Sequence, residues 1–165
     1  MIRKQPGESF MARGDIFMPH FGLMDENKLG PVKGPFLRAR LHIRGGKRRL
    51  REGKIAAGIV TLYDALEGAM RSYIEDPDHR SRLDIRLDED LDNERTMYAT
   101  LVRSRVLDGA FDFEAFDRLT ERALQEEMPG YEYRQLLTDF DSVMIQLGVM
   151  PFDERSLPAE DPKTF

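Results

Sequence analysis

The sequence predicts a mainly α-helical fold, a single-domain bundle around a long central helix at about residues 47–75. Three observations predict it. The chain has 165 residues and no cysteine, a length that suits one domain and buries about two-thirds of its unfolded surface without staples. Residues 55–74 carry apolar side chains on two flanks of a helix. Three further amphipathic stretches follow, each with its own start or stop signal. The hydrophobic fraction of 41% beside 33% charged residues is that of a folded globular chain rather than a disordered one.

Residues 1–35 are dense in Pro and Gly, which argues against a long helix or strand. They also carry Phe10, Met11, Ile16, Phe17, Met18, Phe21, Leu23 and Met24. That composition reads as an irregular apolar arm packing on its own domain or on a second subunit. Residues 37–44 alternate, with Leu37, Ala39, Leu41 and Ile43 against Arg38, Arg40, His42 and Arg44. Leu83, Ile85 and Leu87 repeat the pattern with Asp84, Arg86 and Asp88 between them. This period of two admits a short two-stranded β ribbon over 37–44 and 83–88, the first strand closed by Gly45-Gly46.

The central helix is the strongest element. Ile55, Ile59, Leu62, Tyr63, Leu66, Met70, Tyr73 and Ile74 recur at steps of three and four. At 100° per residue they fill a sector from roughly −20° to +100°. Ala57, Gly58, Thr61, Ala65, Gly68, Ala69 and Ser72 fill a second, roughly 200° to 320°. Only Asp64, Glu67, Arg71 and Glu75 remain for the polar side. Such a helix is enclosed on two flanks, and Ala57, Thr61, Ala65, Gly68, Ala69 and Ser72 form a face on which another helix, of this chain or of a second copy, can pack closely. Gly in a helix interior costs up to about 1 kcal/mol against Ala unless packing offsets it. Pro77 limits the C-terminal extension.

Helices are expected at about 92–107, with Asp92 as N-cap and Gly109 after it; at about 112–127, with Asp112 as cap and Pro129-Gly130 beyond; and at about 132–147, with Gly148 at C′. Residues 151–165, with three prolines among acids, read as a tail. The expected organisation is an arm (1–35), a helical domain (36–150) and a Pro/acidic tail (151–165).

Charge is unevenly distributed. The net charge is −5, yet residues 1–54 carry +8 and residues 55–165 carry −13. Arg38, Arg40, Arg44, Lys47, Arg48, Arg49, Arg51 and Lys54 form the sharpest cluster. Nucleic acid or another polyanion is one partner for them. The other is the protein's own acidic segment 75–94, within a subunit or across a dimer. Cations at the start of a central helix would oppose its macrodipole, which calls for an anion nearby.

Motifs for chemistry fail on inspection. Asp88-Glu-Asp-Leu-Asp opens like a calcium loop, but Asn93 and Ala99 stand where Gly and Glu are required. Gly45-Gly46-Lys47 lacks the first Gly and the Ser/Thr of a phosphate loop. His20, His42 and His79 offer no metal pair, and no serine sits in a nucleophile elbow. The expectation is therefore no catalytic residue, metal or cofactor. The absence of cysteine accords with a reducing cytoplasm, and no apolar run is long enough for a membrane span. The leading functional reading is a self-associating, dimeric interaction or regulatory protein. A polyanion-binding regulator using residues 38–54 is the alternative.

Overall fold

A computed structural model of the chain describes residues 26–162. Within them are six α-helices: α1 (Glu26–Arg51), α2 (Ile55–Glu75), α3 (Pro77–Arg80), α4 (Glu94–Arg103), α5 (Phe113–Ala123) and α6 (Arg134–Gln146). A 3-10 turn, Glu154–Ser156, lies near the end. The protein is mainly α, a helical bundle, as the sequence predicts. No helix among the described residues is long and apolar enough to cross a membrane.

Helix α2 is the hub. It packs along α1 on one flank and against α4 and α5 elsewhere. Its Ile59, Leu62, Leu66, Met70 and Ile74 join Leu50, Met97, Leu101, Phe116, Phe140 and Met144 in one buried cluster. The expectation of a helix enclosed on two flanks holds for 55–75.

Its extension back to Lys47 does not. The chain breaks at Glu52–Lys54 and reverses, so that 47–51 ends α1 rather than starting α2. Gly53 adopts φ +79°, the left-handed geometry that favours glycine at a helix C-terminus. The amides of Gly53 and Lys54 then reach back to the carbonyls of Leu50 (3.1 Å) and Arg49 (2.9 Å). Arg48, Arg49 and Arg51 therefore occupy the last turn of a helix, where cations suit the macrodipole. The unfavourable placement expected from the sequence disappears.

The ribbon is not present: residues 37–44 are helical, and 83–88 hold no strand. The alternation has a helical origin. Leu37 and Leu41 fall on one flank of α1 and Ala39 and Ile43 on the other, because two-residue steps rotate by about 200°. A helix covered on both flanks mimics a strand's period. Gly46 lies inside α1 for the same reason as Gly58 and Gly68 lie inside α2: the two helices approach too closely for a side chain. A Cβ on Gly46 would meet Leu62 at 2.8 Å, and one on Gly68 would meet the Pro35 carbonyl at 3.0 Å.

Most of the expected arm, residues 1–25, lies outside the described residues. Of its remainder, 26–35 is helical except at Gly30 (φ 86°, ψ 177°), which separates a first turn from the helix proper. Pro31 follows directly, its fixed φ suited to a first helical position. The α4 cap is Asn93 rather than Asp92, its Oδ1 accepting from the Thr96 amide at 3.1 Å. Asp112 caps α5 as expected, accepting from Ala115 at 2.9 Å.

Candidate functional site

Helices α2 and α5 and the segment after α5 build one open groove. The half-buried edge of α2 presents Ala56, Val60, Tyr63 and Glu67 at helical spacing, and α5 with the segment after it supplies the opposite wall. Two pockets of about 520 and 450 Å³ share Val60 and Leu124 and so join end to end. The first is mostly apolar, lined by Ile55, Ala56, Ala57, Ala123, Met128 and Pro129 among others. The second carries acids: Asp64, Glu67, Glu94, Asp117 and Glu121, with Arg38 at its base. Leu124, at the junction, is 56% exposed.

Beneath the acidic end lies a polar cluster that the apolar face of α2 did not announce. Asp64 accepts from Arg38 Nε at 2.9 Å and pairs also with Arg38 Nη2 and His42 Nδ1. His42 is 1% exposed. Burial alone would raise the Asp64 pKa, but the His42 and Arg38 partners outweigh it and hold the carboxyl below the usual range. Glu67 extends the cluster, 3.8 Å from Arg38 and 2.8 Å from Arg71. Across the groove the Tyr63 hydroxyl donates to Asp117 on the opposite wall at 2.9 Å. Burial, then Asp117, push the Tyr63 pKa upward, keeping the phenol protonated. Arg38 and His42 stand one helical turn apart, a spacing that signals this cluster only when the segment is a helix, since in a strand the same alternation puts both on a solvent face.

The sequence-predicted basic stretch is distributed over α1 and the turn after it. Arg38 faces Asp64. Arg40 Nε donates to the Val149 carbonyl at 3.0 Å, Arg44 Nη2 to that of Pro158 at 2.7 Å, and Arg48 Nε to the Glu160 carboxylate at 3.2 Å. Lys47 pairs with Asp141 at 2.8 Å, while Arg48 and Lys54 both reach Glu52. Arg49 is buried, and burial followed by the neighbouring Arg48 lowers its pKa. Arg51 faces solvent. The partners shown for this stretch are Asp64, Glu67, Asp141, Glu52 and the C-terminal segment; acids of 75–94 that pair do so with other cations, as in Arg71–Asp92 at 3.1 Å.

The small-residue face meets α1 of the same chain. Thr61, Ala65, Gly68, Ala69 and Ser72 are buried and Ala57 half-buried. Ser72 Oγ donates to the Val32 carbonyl at 2.8 Å, and Thr61 Oγ1 back to Ala57 at 2.7 Å.

Compared with protein-family models, curated proteins and solved structures, the chain matches none. Its function therefore rests on the geometry above. Among the described residues no group of three or more His, Asp or Glu is arranged to hold a metal ion. What remains is a groove with apolar surface along its length and, at one end, Glu94 and Glu121 beside carboxylates already paired within the chain, a combination suited to an amphipathic segment.

Proposed function

We propose that this chain is a cytoplasmic interaction protein that self-associates as a dimer, with the α2–α5 groove as its working surface. One observation carries the proposal: two joined pockets, open and partly apolar, meet at the exposed Leu124. Exposed apolar surface rimmed by polar groups characterises association sites. The small-residue face of α2 is already covered by α1, so association falls to the groove. Two-fold pairing would bring the same patch of each copy together. A regulatory role would follow from what shifts the equilibrium between copies.

Light scattering coupled to gel filtration tests this. The expected particle at micromolar concentration has twice the 19.1 kDa chain mass, and Leu124→Glu returns it to one chain mass without loss of helicity. A wild-type particle of one chain mass overturns the proposal. The polyanion alternative has less support, since Arg38, Arg40, Arg44, Lys47 and Arg48 all hold oxygen atoms of this chain.

A further inference from the structure

The segment after α6 runs along α1 and meets three cations on one face of it. Arg40, Arg44 and Arg48 are four residues apart, so successive guanidiniums rise about 6 Å along the axis. The segment engages them in the same order: Val149 on Arg40, Pro158 on Arg44, Glu160 on Arg48. Between Val149 and Pro158 it folds through the Glu154–Ser156 3-10 turn, so nine residues advance only about one turn along the helix. Two of the three contacts are to main-chain carbonyls, at 3.0 and 2.7 Å. The third is a charge-assisted contact to both oxygens of a carboxylate, each at 3.2 Å. Arg40 also lies over two rings, 4.4 Å from the Phe36 centroid and 5.1 Å from that of Phe152, a cation–π arrangement.

We infer that this face of α1 is a recognition surface for an acidic peptide bearing an aromatic residue, and that residues 149–160 occupy it as a built-in competitor. The contacts read chain direction, an aromatic ring and a carboxylate near the far end, which is how a peptide is recognised. The occupant is loosely anchored. Val149 is buried and Met150 and Phe152 pack against the core, but beyond Phe152 only Leu157 and Glu160 are even half-buried, up to residue 160. Residues 153–160, held by polar contacts with so little burial, can open without unfolding the core. Being tethered, it competes at an effective concentration on the millimolar scale, which masks the surface from a partner in trans. This inference is independent of the groove.

The test uses the full-length chain carrying Phe152→Ala and Glu160→Gln, titrated against a fluorescein-labelled peptide with the sequence of residues 148–161. Anisotropy is expected to show binding at least tenfold tighter than to the wild-type chain. A scrambled peptide of identical composition binds at least tenfold more weakly, and adding Arg44→Ala abolishes the difference. Glu160→Gln alone serves if the double variant does not fold. Equal binding of native and scrambled peptides, no binding, or tighter binding of a 20-nucleotide single strand overturns the inference. So does hydrogen exchange showing amides 152–160 protected as strongly as the helices in every variant, because the segment then does not open.

Discussion

Gly58 on α2 lies directly against Leu50 on α1. A Cβ built on Gly58 would stand 2.7 Å from Leu50 Cδ2 and 3.1 Å from the Gly46 carbonyl. Leu50 is itself buried and Gly46 contributes backbone, so neither can yield cheaply. The close approach of α1 and α2 is thus written into a few positions lacking a side chain.

Gly58→Ala sets two effects against each other. Ala gains up to about 1 kcal/mol in helix propensity, while overpacking a well-filled site costs about 1–3 kcal/mol. The second is expected to win, lowering Tm by about 3–6 °C. Gly130→Ala is the control, because nothing lies within 4 Å of a Cβ there. Thermal denaturation followed by circular dichroism separates the two; equal Tm values would mean the helices part readily.

Asp64→Asn leaves buried His42 and nearly buried Arg38 without their carboxylate. Breaking a buried pair by removing one partner costs about 3 kcal/mol or more, so a large fall in the urea midpoint is expected at pH 7. The pH dependence has a definite sign. The Asp64 carboxyl is held below its ordinary value in the fold, so its contribution is complete above the unfolded carboxylate pKa of about 4. It is lost as pH falls through the lower folded value. Wild type should therefore lose stability more steeply than Asp64→Asn in that acid window, measured as the difference between their urea midpoints. Parallel curves would show that the carboxylate is not held in its ionised form.

Tyr63→Phe removes a hydroxyl that donates to Asp117 at 2.9 Å, and about 1 kcal/mol of stability should go with it. The folded phenol is raised above its ordinary pKa by burial and then by Asp117. Wild-type stability from this group is accordingly present below about pH 10, the unfolded value, and declines as pH rises beyond it. The variant should lose that part of the alkaline decline, seen in urea midpoints between neutral and alkaline pH.

Arg105 has φ +61° just after α4, in the left-handed region where a side chain costs about 1–2 kcal/mol. Arg105→Gly should raise stability by about 0.5–1 kcal/mol, read as a higher Tm. A fall in Tm would show that the arginine side chain contributes more than the strained backbone costs.

The contrast between residues 37–44 and 55–75 shows what could be read without coordinates. In 55–75 the apolar and small residues separate into two sectors, so the period of 3.6 survives and the enclosed helix is legible. In 37–44 both flanks of α1 are covered, and the same physics yields a period of two. The hairpin break was signalled by Gly53 after three cations, yet the surrounding pattern ran on through it. The groove and the Asp64 cluster were less accessible still: Arg38 and His42 stand more than twenty residues before Asp64, and only the reversal at Gly53 brings them together.

What the sequence by itself determined was the class of fold, the two-sided character of α2, the cap at Asp112 and the concentration of cations before residue 55. Local periodicity and capping chemistry carry that information, because they depend on neighbours within a few turns. Tertiary structure alone decided that 37–44 coils, that α1 takes the small-residue face, and that the Arg40–Arg44–Arg48 ladder meets residues 149–160. Those outcomes depend on which distant surface covers a residue, and burial by a remote segment leaves no mark on nearby sequence.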